Sequence, residues 1–278
     1  MPEIFGTDCY SPQQIAERVE EVGVTKSKLP LLSMVALGVL AGGFIGLGAM
    51  FASLVLSDSG LGFAAGRVLA GLVFSLGLIL VIVAGAELFT GNNLLIMAFV
   101  GGRIPLGRFI RNLAIVYVAN LIGAIGLAAL VSGTGIGQMA NGSVGRFAVS
   151  IAATKVSLSF TDAFLRGTLC NLLVCLAVWL AMAGRSVADK VLAIIFPISA
   201  FVAVGFEHSV ANMYIIPLGI FWKSRFPVSD SVVLDWSGFL QNLLPVTLGN
   251  LIGGAGMVGL VYYIIYCRYT VTNSAATL

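Results

Sequence analysis

Long runs without a charged residue, separated by short charged intervals, set the rhythm of this chain. No Asp, Glu, Lys or Arg falls between Leu29 and Ser57, Val68 and Ala86, Asn112 and Gly145, Gly167 and Gly184, Val191 and Phe206, or Trp236 and Cys267. A helix needs about 20 apolar residues to cross the hydrocarbon core. The runs therefore predict six membrane-spanning helices and leave little chain for a soluble domain.

Ahead of the first run the pattern becomes one-sided. Ser11 suits an N-cap, Pro12 the first turn and Gln14 the third position after the cap, with Ile15, Val19 and Val22 on one face. This predicts a short amphipathic helix, lying along the membrane or packed under the bundle. The residues before it carry Glu3 and Asp8 and lack the apolar stretch of a cleavable signal.

Two apolar segments are too long for a single crossing: about 35 residues from Val68 to Gly102 and about 32 from Val191 to Trp222. Each has a glycine and polar residues near its middle, which predicts a helix, a non-helical stretch at membrane depth and a second short helix. Such a stretch survives only where its freed backbone groups are buried in protein or line a cavity. The two middles are related. "GAELFTGNN" from Gly85 and "GFEHSVANM" from Gly205 share Gly85/Gly205, Glu87/Glu207 and Asn92/Asn212, each pair 120 residues apart. "NLIGA" from Asn120 and "NLIGG" from Asn250 repeat in the following span. The chain thus reads as two related halves of three spans. Three is odd, so the second half crosses in the opposite sense, the plan of inverted-repeat transporters and channels.

Composition narrows the class. Of 278 residues, 59% are hydrophobic and 10% charged, against about 25% charged in soluble domains, which marks a membrane protein. Thirty-four glycines, with runs such as "AGGFIGLG" from Ala41, favour close helix packing within or between protomers. The net charge of +3 is scattered over membrane-flanking intervals, with no basic tract for nucleic acid. Counted by side, Arg18, Lys26, Lys28, Arg103, Arg108, Arg111, Arg185, Lys190 and Arg268 oppose Arg67, Arg146, Lys155, Arg166, Lys223 and Arg225. That asymmetry puts both termini in the cytoplasm. Four scattered cysteines and one histidine make no metal-ligand set, and no cofactor is expected. His208 and Ser209 adjoin, but a nucleophile and its base meet in space rather than in sequence. An enzyme is therefore not expected.

The polar residues at the breaks carry the candidate chemistry. Glu87 and Glu207 suit loop stabilisation, accepting freed backbone N–H groups, and Thr90 suits a cap for the short helix after it. His208 stands where the first half has Leu88 and is the chain's only imidazole. It is the side chain whose ordinary pKa of about 6.5 lets it change charge near neutral pH, and an ionisable group inside a membrane is a functional hypothesis by default.

At these residues the chain resembles the formate/nitrite transporter family. The likeness is carried by "GAELFTGN" (Gly85 to Asn92), "CNLLVCLAVW" (Cys170 to Trp179), "GRSVADK" (Gly184 to Lys190), "GFEHSVANM" and "LLPVTLGNLIGG" (Leu243 to Gly254). The resemblance implies an aquaporin-like six-span protomer whose second and fifth helices are broken by pore loops, assembled as a homopentamer in the inner membrane of a prokaryote. It implies a pore histidine, His208, paired with Thr90, and an anion-attracting lysine, Lys155. It further implies apolar constrictions at Phe74, Leu78, Leu88 and Phe201, and polar residues near the pore at Asn171 and Asn212. The expected cargo is formate with proton involvement, or nitrite or hydrosulfide through the same pore; a channel for water or neutral solutes is the more distant reading. The expected organisation is an N-terminal helical segment over 1–28, a channel domain over 29–268 with repeats over about 29–131 and 160–266, and a cytoplasmic tail over 269–278.

Overall fold

In the computed structural model, residues 9–57, 59–227 and 233–268 are described, and the expected tail beyond 268 lies outside them. Among these residues the chain is helical, and six helices are long and apolar enough to cross a membrane.

The amphipathic start becomes α1 (Pro12–Ser27). The Ser11 N–H donates to Gln14 Oε1 and Ser11 Oγ accepts from the Gln14 N–H, a reciprocal cap. Ile15, Ala16 and Val19 are buried, packing with Leu94, Met97, Trp179 and Val258. The helix sits under the bundle, because its apolar face finds a protein surface rather than lipid.

The first half continues with α2 (Leu31–Leu56) and α3 (Phe63–Gly85), whose last turns, Leu80–Gly85, are π-helical. After a break come α4 (Phe89–Val100) and α5 (Leu106–Ser132). The second half runs through α6 (Met139–Val156), α7 (Phe160–Ala183), α8 (Val187–Val204), a second break, α9 (Ser209–Trp222) and α10 (Trp236–Tyr266). Ser186 with Asp189 caps α8 reciprocally, and Asp235 caps α10 by accepting the Gly238 N–H at 2.8 Å. The charge-free run from Asn112 to Gly145 is not one helix. α5 takes in Arg108 and Arg111 at its start and ends at Ser132, and Ala140, Asn141 and Gly142, all with positive φ, kink the chain near the start of α6.

Packing repeats between the halves. α2 packs on α3 and α5 as α7 packs on α8 and α10, while α3 and α8 pack on each other. Glycine makes the equivalent approaches possible: a Cβ on Gly123 of α5 would collide with the Val39 carbonyl, and one on Gly253 of α10 with the Thr168 carbonyl. Large apolar side chains face outward instead of polar ones, among them Leu130, Phe196, Leu240 and Leu244. That surface suits lipid.

Both breaks have one geometry. α3 ends on Gly85 at φ +86° and α8 is closed by Gly205 at φ +79°, a conformation glycine adopts without a Cβ penalty. The backbone then extends, and Leu88 (φ −107°, ψ 123°) and His208 (φ −108°, ψ 115°) precede α4 and α9 in nearly the same conformation.

Candidate functional site

Extended backbone inside the bundle frees N–H and C=O groups that need partners. One asparagine in each half supplies them. Asn120 Oδ1 accepts the Phe89 N–H at 2.9 Å, while its Nδ2 donates to the Gly38 carbonyl at 2.7 Å and the Glu87 carbonyl at 2.9 Å. Asn250 does the same in the second half. It accepts the Ser209 N–H at 2.9 Å and donates to the Gly167 and Glu207 carbonyls at 2.8 and 3.0 Å. The N–H groups of Glu87 and Glu207 donate to the carbonyls of Leu37 and Arg166.

The two glutamate carboxylates do not take backbone N–H groups, contrary to the sequence-based expectation. Each is an ion pair with a lysine. Lys26 Nζ lies 2.9 Å from Glu87 Oε1, and Asn92 Nδ2 donates to Glu87 Oε2 at 2.7 Å and to Asn112 Oδ1 at 2.8 Å. Lys155 Nζ lies 2.8 Å from Glu207 Oε1, and Asn212 Nδ2 donates to Glu207 Oε2 at 2.6 Å and to Asn242 Oδ1 at 2.8 Å. Asn112 and Asn242 close each set by donating to the lysine's own carbonyl, Lys26 and Lys155 respectively. A buried charge is costly unless both paired and hydrogen-bonded, and these sets do both. One difference separates them: Lys26 also donates to Asn92 Oδ1 at 2.8 Å, whereas Asn212 Oδ1 has no partner.

Between the two breaks, Thr90 Oγ1 and His208 Nε2 are 3.0 Å apart. The Thr90 hydroxyl oxygen faces the histidine and does not cap α4, whose N-cap, Leu88, makes no side-chain bond. His208 Nδ1 accepts the Ala211 N–H at 3.0 Å, so the imidazole itself caps α9. An Nδ1 that accepts a backbone N–H carries no proton, and the proton of the neutral ring then sits on Nε2. Nε2 donates to Thr90 Oγ1, which leaves the hydroxyl proton free for another acceptor. The Thr90 carbonyl is held by Asn171 Nδ2 at 3.3 Å, Asn93 Nδ2 at 3.2 Å and Cys175 Sγ at 3.3 Å. Asn171 also donates to the Asn250 carbonyl at 2.6 Å, tying the first break to the second half.

Two cavities approach this pair from opposite ends of α2 and α3. The larger, about 610 Å³, is lined by Lys26, Leu78, Glu87 and Leu88, and the smaller, about 180 Å³, by Phe74, Lys155, Phe201, Glu207, His208 and Asn212. No lining residue is common to both. Phe74 and Phe201 meet edge to face at 5.5 Å between ring centroids, and Phe201 stacks on His208 at 5.9 Å. Phe74, Leu78, Leu88 and Phe201 are at most 4% exposed, Leu78 and Leu88 in the lining of the larger cavity and Phe74 and Phe201 in that of the smaller. Of the sequence-derived site residues, Glu87, Leu78 and Leu88 line the larger cavity and Phe74, Lys155, Phe201, Glu207, His208 and Asn212 the smaller, while Thr90 and Asn171 line neither; Asn171 positions Thr90.

Sequence reasoning missed Lys26, Asn112 and Asn242 as parts of the site, and took Asn120 and Asn250 only as marks of the repeat. The signal was present in part: a polar residue at the same place in each half, inside an apolar run, asks for a buried partner in each half.

A family model described as formate/nitrite transporter matches residues 13–264. The chain is 39% identical over 273 residues to the formate channel FocA of Escherichia coli (strain K12), covering 94% of this chain and 96% of that one. It is 42% identical over 257 residues to the uncharacterized transporter YrhG of Bacillus subtilis (strain 168), covering 92% and 93%. Among solved structures, a pentameric formate channel with formate bound is similar at a TM-score of 0.78 and 36% identity, over 86% of this chain and 98% of that chain.

Proposed function

Since the chain belongs to the formate/nitrite transporter family, we propose that this multi-pass membrane protein is a pentameric channel that carries formate, with proton involvement at His208. The observation that carries the reading is the Thr90–His208 contact at 3.0 Å, with His208 in the lining of the smaller cavity and Leu88, two residues before Thr90, in that of the larger. A bare anion meets a steep desolvation barrier at Phe74, Leu78, Leu88 and Phe201, while its neutral acid meets a far smaller one. The free hydroxyl proton of Thr90 is the donor that meets the anion at that barrier. A second proton enters His208 only at Nδ1, where it displaces the Ala211 N–H. Full transfer then moves the Nε2 proton to Thr90 Oγ1 as the hydroxyl proton passes to the carboxylate; formic acid leaves with Thr90 restored and His208 neutral with its proton on Nδ1, and loss of that proton with reprotonation of Nε2 resets the ring. Charging His208 is therefore coupled to uncapping α9.

The repeated Lys–Glu–Asn sets support two halves of opposite sense over about 29–131 and 160–266, with breaks that act as pore loops held by Glu87 and Glu207. With both termini in the cytoplasm of a prokaryote, the larger cavity opens inward and the smaller outward. The segment over 1–28 then lies on the cytoplasmic side and the channel domain spans 29–268. Nitrite and hydrosulfide are small monovalent anions of weak acids, and the same pore suits them.

The test is initial flux of formate, nitrite and hydrosulfide into liposomes holding the purified protein, at external pH from about 5 to 8, with His208→Asn alongside. Formate flux that rises in acid and loses that dependence in the variant is the expected result. Unchanged pH dependence in His208→Asn removes His208 as the titrating group. Water permeation exceeding every anion flux replaces the anion reading with a neutral-solute channel.

A further inference from the structure

The smaller cavity is lined by three cations, Lys155, Arg166 and Arg67. Two are already neutralised: Lys155 by Glu207 at 2.8 Å, and Arg166 by Asp162, whose Oδ1 accepts from Arg166 Nε at 2.7 Å. Arg67 has no ion pair among the described residues, and its buried Nε has no hydrogen-bond partner. The excess positive charge of this cavity therefore resides on Arg67.

The placement of that guanidinium is specific. Its Nη2 lies over Gly205, close enough that a Cβ there would be 2.8 Å away, and Arg166 Nη1 reaches the Gly205 carbonyl at 3.5 Å. Two guanidinium groups thus converge on the glycine that ends α8, three positions before His208. The remaining neighbour of note is the Phe63 ring, 5.6 Å from Arg67 Cζ to its centroid.

We propose that Arg67 is a docking point for planar oxyanions at the mouth of the smaller cavity, where anions of the O–X–O type are distinguished from those presenting a single atom. A guanidinium offers two parallel N–H donors that match the two oxygens of a carboxylate or of nitrite. Hydrosulfide and chloride present one centre and gain only the charge. Selection between such anions is set here, before the apolar barrier, and the pair at Thr90 and His208 acts on whatever is delivered.

This inference rests on the transport reading above and is tested separately from it. Initial fluxes of formate, nitrite and hydrosulfide are measured against concentration at low ionic strength for wild type, Arg67→Lys and Arg67→Gln. Arg67→Lys keeps the charge and loses the fork, so the half-saturating concentrations of formate and nitrite rise about tenfold while that of hydrosulfide stays within about twofold. Arg67→Gln weakens all three, and maximal flux is preserved. Equal shifts for all three anions in Arg67→Lys, or no shift in either variant, overturn the proposal. A wild type that carries hydrosulfide but neither oxyanion overturns the transport reading as well. Should Arg67→Lys assemble poorly, the wild-type melting temperature gives the second readout: formate and nitrite raise it at lower concentrations than chloride, and coincident curves overturn the proposal.

Discussion

Lys155 Nζ lies 2.8 Å from Glu207 Oε1, with the two side chains only 10% and 5% exposed. The lysine meets the smaller cavity as half of a neutral pair, further anchored because its own carbonyl accepts from Asn242. Its charge holds the second break in place before it does anything for a passing anion.

Removing the lysine alone therefore strands a buried carboxylate. Lys155→Ala is expected to cost roughly 3–5 kcal/mol, read as a lower melting temperature and loss of assembled protein. Pairing Lys155→Met with Glu207→Gln should restore most of that loss. Wild-type melting in Lys155→Ala, with slowed flux only at low salt, would show the lysine to be a steering charge instead.

Gly85 and Gly205 share a left-handed conformation but not a neighbourhood. A Cβ on Gly85 meets nothing within 4 Å, whereas one on Gly205 meets Arg67 Nη2 at 2.8 Å. Gly85→Ala should cost about 1 kcal/mol of backbone strain and leave the apparent affinity for formate unchanged. Gly205→Ala should add to that strain a displaced Arg67 and a raised half-saturating concentration. Identical affinities in the two variants would separate Arg67 from transport.

The Thr90 hydroxyl joins His208 to whatever occupies the barrier. Thr90→Ser keeps the oxygen and should retain flux and its pH dependence. Thr90→Val leaves the His208 Nε2–H unpaired, at about 1–3 kcal/mol, and should lose flux by about tenfold or more. Flux in Thr90→Val equal to that in Thr90→Ser would exclude the hydroxyl from the path.

The spans and the breaks were legible because each rests on a local rule: run length for the helices, and a glycine followed by polar residues for the interruptions. The Ser11 cap was legible for the same reason. What the sequence did not disclose are bonds between distant segments. The expectation that Glu87 and Glu207 would take backbone N–H groups failed because Asn120 and Asn250, about 30 to 45 residues later, already take them. The lysines that pair with the glutamates precede them by 61 and 52 residues, since Lys26 lies in the last turn of α1 and Lys155 in the last turn of α6. α6 itself was hidden in an apolar run that gives no sign of where α5 stops. The Thr90–His208 pairing came from the family resemblance rather than from spacing, and Arg67 resembled any basic residue at a span's edge until its neighbours' partners were known.

Asn120 and Asn250 give the biogenesis of the two halves an order. α3 and α4 leave the ribosome before α5, so residues 86–88 reach the bilayer with the Phe89 N–H unanswered and the Glu87 carbonyl lacking its donor. Lipid offers no substitute. The first break closes only when α5 arrives, and the second waits in the same way for Asn250 on α10. A chain arrested before α5 emerges is therefore not a short channel but an exposed backbone, and the smallest piece that satisfies its own interruption ends after the last span of a half.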